Sequence, residues 1–172
     1  MVFLDLWSGY KSKKLNDLIL DKMSEALDAE EKLSETLPRL AQAVANPFLR
    51  FNLEEQSQQS KNQVGRLRQA FGLIGEAPRT KYSFITRDLI NEGEGLIMIE
   101  DPTVRDVALV SEIKNLKENE IMTYETICDW AKGSGRIELA EIFKQSLSEE
   151  EGALGKLDDL SKVLYKNISR QA

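Results

Sequence analysis

Three glutamates stand where packing residues are expected. On the stretch Lys14–Leu40, the residues Leu15, Ile19, Met23, Ala26, Leu33, Leu37 and Leu40 recur every three or four places and make one apolar stripe on a long helix, with Glu30 in its middle. Glu120 interrupts the stripe Leu109, Ile113, Leu116, Tyr124, Ile127 in the same way, and Glu150 interrupts Leu139, Phe143, Ser146, Leu154, Leu157. A carboxylate on a packing face costs several kcal/mol unless it is paired or takes up a proton. Three of them at matching heights imply a shared polar centre, within reach of one ion or one ammonium group.

The chain has no histidine and a single cysteine, Cys128. That excludes Cys–His and Ser–His nucleophile pairs, the HExxH zinc pattern and an intrachain cysteine-based zinc site together. Only oxygen ligands are left for a metal. Cys128 lies among Tyr124, Ile127 and Ala131 and reads as a core thiol, and one cysteine fits a reducing compartment.

The elements that must position the glutamates are helices. The first is expected from about Ser12 to Ala45, kinked or ended early by Pro38. Asn46–Pro47 marks a turn into a second helix ending near Leu73, whose ends are apolar but whose middle reads EEQSQQSKNQ. Gln56, Ser60 and Gln63 fall near the side of Leu67 and Ile74, which brings amides and a hydroxyl to the level of the glutamates. Tyr82 to Glu100 reads as a shorter helical or irregular piece, weakened by Gly93 and Gly95. Asp101 as N-cap and Pro102 in the first turn start a helix running to about Lys132, with Asp106 favouring its dipole. The sequence KGSG then turns into a last helix from about Arg136 to Tyr165. Lys117 sits at the edge of the face carrying Ile113 and Glu120, from which its ammonium can reach inward.

With 172 residues, 41% of them hydrophobic, the chain suits one all-α domain over 1–172, with a core at about 12–167 and an N-terminal arm at 1–11 packing Phe3, Leu4 and Trp7. A net charge of -6 argues against nucleic-acid binding, and no apolar run reaches the length of a membrane span. Lys11, Lys13 and Lys14 beside Trp7 and Tyr10 read as a solvated edge, and the start lacks the order of a secretory signal. Of Glu149, Glu150 and Glu151, only Glu150 is expected to turn fully inward.

Several blocks together resemble the YciF-type (DUF892) ferritin-like stress-protein family. They are Glu25-Ala-Leu-Asp-Ala-Glu30-Glu-Lys-Leu33, Thr36-Leu-Pro-Arg-Leu40, Gln63-Val-Gly-Arg-Leu67, Asp88-Leu-Ile-Asn-Glu92-Gly93, Val104 to Leu109, Glu120-Ile-Met-Thr-Tyr124, Leu147 to Glu151 and Leu157 to Leu160. The resemblance spans about Leu15 to Leu160. It implies a ferritin-like four-helix bundle with an additional short helix in the crossover, a homodimer, a cytoplasmic location and a carboxylate centre. Residue by residue it carries over Glu30, Glu92, Glu120 and Glu150 as candidate, vestigial metal ligands. The family's second-helix glutamate and its histidine or glutamine fall on Gln59 and Gln63, and its Glu-His pair on Lys117-Glu118.

A dinuclear bundle site takes a glutamate from each of two helices and Glu-x-x-His from each of the other two. This chain has amides where the second helix should carry charge, and it offers a lysine in place of imidazole. The expected function is therefore non-catalytic, structural or interaction-based, with Glu30, Glu120 and Glu150 tied up by Lys117, Gln56, Gln63, Tyr124 and water, and with no cofactor. The alternative is an all-oxygen site for Mn, Fe, Mg or Ca at low occupancy, with oxidase-like or metal-buffering activity. A small-ligand pocket or a helix-mediated regulator is the third reading.

Overall fold

The structure is a computed structural model and describes residues 13–169. The expected arm at 1–11 lies outside the described residues. Five helices follow in order: α1 (Leu15–Ala43), α2 (Pro47–Leu73), α3 (Phe84–Leu96), α4 (Pro102–Gly133) and α5 (Ile137–Ser169). The fold is all-α, a ferritin-like four-helix bundle of α1, α2, α4 and α5, with α3 as the extra helix of the crossover. Asp101 caps α4 as expected, and Asn46 of the expected turn caps α2. Each side-chain oxygen accepts from two backbone N–H groups that the first turn cannot satisfy, and each cap precedes a proline. Between α4 and α5 Gly135 takes φ 77, a left-handed conformation suited to glycine, and Arg136 N–H closes the turn on Ala131 O at 2.8 Å.

Pro38 does not end α1. A proline cannot donate to the carbonyl four residues back, so Ser34 O loses its helical partner. The Ser57 hydroxyl of α2 donates to that oxygen at 3.1 Å instead, from a buried position. Removing this hydroxyl orphans a carbonyl inside the α1–α2 contact. Ser57→Ala should cost about 1–3 kcal/mol, read as a lower urea midpoint at unchanged slope, whereas an unchanged midpoint would mean that the carbonyl is satisfied elsewhere.

The apolar core is cut in two. One cluster contains Ile19, Met23 and Leu27 of α1, Leu67 and Phe71 of α2, Tyr124, Ile127 and Cys128 of α4, and Leu139 and Phe143 of α5. The other contains Leu33, Leu37 and Leu40, Leu49 and Leu53, Leu109, Ile113 and Leu116, and Leu157 and Leu164 of the same helices. Between them every helix turns polar residues inward: Glu30, then Gln56, Ser60 and Gln63, then Lys117 and Glu120, then Ser146 and Glu150, all buried.

The order in which each helix meets the two clusters fixes its direction. α1 and α5 run one way, α2 and α4 the other, so the chain between α2 and α4 must travel the length of the bundle. It does so along α1. Lys81 N–H donates to Ser24 O at 3.0 Å, Arg87 makes a two-pronged bond to Asp28 (Nε–Oδ2 3.0 Å, Nη2–Oδ1 2.6 Å), and Arg39 pairs with Glu94 further on. Of the two expectations for Tyr82 to Glu100 the shorter helix is the one found, for α3 runs through Gly93 and Gly95 to Leu96. Asp106 does more than favour a dipole. It is buried, and its two oxygens accept from Ala45 N–H and Asn46 N–H at 3.0 and 2.7 Å, pinning the α1–α2 turn to α4.

A lysine-bridged carboxylate centre

The polar belt is built from all four long helices. Glu30 is 1% exposed, Lys117 1%, Glu120 3% and Glu150 0%. Lys117 Nζ lies 2.6 Å from Glu150 Oε2 and 2.6 Å from Glu120 Oε2, so one ammonium joins two helices' carboxylates. Gln63 Nε2 donates to the other oxygen of Glu150 at 2.7 Å. The Tyr124 hydroxyl donates to Glu30 Oε1 at 2.7 Å, with its ring stacked on Phe143 at 5.8 Å. One oxygen from each of Glu30, Glu120 and Glu150 lies within 4.8 Å of the others. That is close enough for the three to share a cation.

Burial pushes the Glu30 carboxyl up to about 7, helped by the charge of Glu150 and opposed by Lys117 and the Tyr124 bond. Burial likewise raises Glu120 well above the usual carboxylate range, again with Glu150 adding to it and Lys117 opposing. For Lys117 burial alone would favour the neutral amine, yet Glu120, Glu150 and Glu30 together outweigh it and hold the ammonium charged far above neutrality. Burial and the facing Glu30 also keep Tyr124 protonated well beyond its ordinary value. The centre thus contains one fixed positive charge and three acidic groups, two of which favour keeping a proton.

Several acceptors are left over. Glu30 Oε2, Glu120 Oε1, Gln56 Oε1, Gln63 Oε1 and Ser60 Oγ are buried without a hydrogen-bond partner among the described residues.

The expected residues divide into two groups. Glu30, Glu120, Glu150, Lys117, Tyr124, Gln56, Ser60 and Gln63 are buried in the belt. Gln59 is half-buried and lines an outer groove between α2 and α5 with Ser148 and Glu149. Glu92 is exposed. Helix α3 lies outside the four that enclose the centre and turns Thr86, Ile90 and Gly93 inward, which points Glu92 away. Glu149 is also placed differently from the solvated position expected of it. It pairs with Arg66 through both oxygens (2.9 and 3.0 Å) and accepts from Gln63 at 3.1 Å, and these partners hold its carboxyl below the ordinary range despite partial burial. Nothing local to Glu149 signalled this pairing, because Arg66 lies on α2 and Glu149 on α5.

A dinuclear iron or manganese group does not fit these residues. The chain supplies no imidazole, α2 brings only amides and a hydroxyl, and the Lys117 ammonium bonds the two carboxylates that would have to bridge the ions. The donor set is all oxygen and suits at most a hard cation held weakly.

Fold and site together define a ferritin-like bundle protein whose carboxylate centre has lost the dinuclear ligand pattern. Residues 14–170 match the family model described as "Domain of unknown function (DUF892)", and the chain belongs to that family. It is 26% identical over 162 residues to protein YciF of Escherichia coli strain K12, covering 93% of this chain and 96% of that one. The crystal structure of that E. coli stress protein superposes with a TM-score of 0.86, at 26% identity over 90% of this chain and 98% of the other. YcfI of Rhodopseudomonas palustris gives 0.83 at 28% identity, over 86% and 95% of the two chains. A dodecameric thioferritin from Bacteroides fragilis shares the fold alone, with a TM-score of 0.65 and 15% identity over 92% of this chain and 89% of that one. Among the described residues no helix is long and apolar enough to cross a membrane.

Proposed function

We propose that this protein is a non-catalytic helical bundle with a structural or interaction role in a stress response, acting as a homodimer in the cytoplasm. In this reading the Lys117 ammonium has the place that metal ions have in metal-loaded bundles. The observation that carries it is the pair of 2.6 Å contacts from Lys117 Nζ to Glu120 and Glu150. A resident ammonium supplies the compensating charge without a cofactor, and it leaves less room for a second cation. The stress role rests on similarity to the E. coli stress protein.

A second reading, a weak mononuclear site for Mn²⁺, Fe²⁺, Mg²⁺ or Ca²⁺ with oxidase-like or metal-buffering activity, is favoured by the unpartnered oxygens of Glu30 and Glu120. Elemental analysis after incubation with Mn²⁺ or Fe²⁺ and desalting separates the two. The first reading expects well under one ion per chain, and one tightly held ion per chain sinks it. Sedimentation of the same sample should give twice the 19.5 kDa chain mass, and a monomer would remove the dimer from the proposal.

A further inference from the structure

A cavity adjoins the buried centre. It measures about 220 Å³ and lies between α1, α4 and the start of α3, with Glu30, Glu120 and Tyr124 at its inner end and Tyr82, Phe84 and Ile85 on its outer wall. The outer wall is apolar and bare: Phe84 is 73% exposed and Ile85 64%, while the Tyr82 ring sets its edge on Phe84 at 4.8 Å. At the mouth Lys22 and Glu25 neutralise one another at 2.8 Å, so the rim selects little by charge. The inner end is acidic. Three acidic side chains share one ammonium, and Glu30 Oε2 and Glu120 Oε1 are buried acceptors with no partner among the described residues.

Acceptors of that kind call for N–H donors carrying positive charge, and the outer wall calls for hydrocarbon. We propose that this cavity binds a small alkylammonium molecule, its ammonium group bonded to the free oxygens of Glu30 and Glu120 and its short chain lying against Tyr82, Phe84 and Ile85. A bare divalent ion satisfies the oxygens but gains nothing from the aromatic wall, and it would set two positive charges beside the Lys117 ammonium where an alkylammonium sets one. The inference goes beyond the structural reading above and does not depend on it, since a bundle can hold such a ligand with or without a catalytic role.

Calorimetric titration of the full chain tests it, with n-butylamine as the probe and n-butanol as its uncharged counterpart. n-Butylamine should bind saturably at one per chain, and n-butanol should bind at least about tenfold more weakly. Glu120→Gln should weaken the amine by roughly 10- to 100-fold through loss of a charge-assisted bond. Phe84→Ala changes an exposed residue that the fold does not need, and should weaken the amine by several fold. No saturable binding to the folded protein, equal binding of n-butanol, or amine binding that survives either substitution overturns the proposal.

Discussion

Replacing Lys117 by methionine should cost about 3–5 kcal/mol at pH 7, the largest effect of any single substitution in the polar belt. The side chain is 1% exposed, so its hydrocarbon stem is already within the core and methionine fills much of the same space. What disappears is the charge that Glu120 and Glu150 both contact at 2.6 Å. Two carboxylates, with Glu30 nearby, are then left in a low-dielectric site and must take up protons or draw water in. A buried ion pair contributes little net stability when intact, because desolvation offsets most of the Coulomb gain, but losing one partner exposes the whole penalty. Two further results should follow. The loss should shrink at pH 5, where protons substitute for the missing cation, and Glu150→Gln added to Lys117→Met should recover a large part of it. Equilibrium unfolding in guanidinium reads all three, and an unchanged midpoint for Lys117→Met would end the internal-cation account.

Glu30 offers the second large effect, of opposite sign. Its carboxyl is raised from 4.5 to about 7 on folding, so between those pH values the folded chain binds the proton more tightly than the unfolded one. Stability from this group is therefore fully present below about pH 4.5 and is lost as the pH rises through 7, an interval corresponding to about 3 kcal/mol. Glu30→Gln keeps an acceptor for the Tyr124 hydroxyl and removes the charge. The variant should be about 2–3 kcal/mol more stable than the parent at pH 8 and nearly equal to it at pH 4.5. Asp21, Glu25, Asp28 and Glu149, all held below their ordinary values, tilt both proteins' profiles the other way, so the difference between the two curves is the readout. Parallel curves would mean that Glu30 is no more reluctant to ionise inside the bundle than in the unfolded chain.

Much of the bundle was legible because two signals agreed. Helical periodicity located the long helices, and the pairs Asn46–Pro47 and Asp101–Pro102 marked two of their starts to the residue. The inward turn of Glu30, Glu120 and Glu150 followed from the same periodicity, since a residue's angular position on a straight helix is set by its number alone. What lay beyond reach depended on how helices pack. Nothing local to Pro38 shows that Ser57, on another helix, will bond the carbonyl it frees. Glu92 matched a family motif but lies on α3, and only the path of the crossover along α1 reveals that this helix is outside the enclosing four. Asp106 read only as favouring a helix dipole and Glu149 as part of a mostly solvated run, because their partners, the α1–α2 turn and Arg66, are distant in sequence.

The shared physical cause is the break in the core. Four helices each trade apolar residues for polar ones at one level, which costs burial energy that the two flanking clusters must offset. Such a break persists only where the polar groups satisfy one another or serve a ligand. Lys117, Gln63 and Tyr124 satisfy part of the set, and the oxygens left over belong to Glu30 and Glu120, two residues that line the cavity.

The most direct measurement is a crystal structure of protein soaked in Mn²⁺, with anomalous data collected at the manganese edge. The account predicts Lys117 Nζ between Glu120 and Glu150, within hydrogen-bond reach of both, and no stoichiometric anomalous peak among the three glutamates. A full-occupancy peak there, with the Lys117 side chain displaced from its two partners, would contradict it.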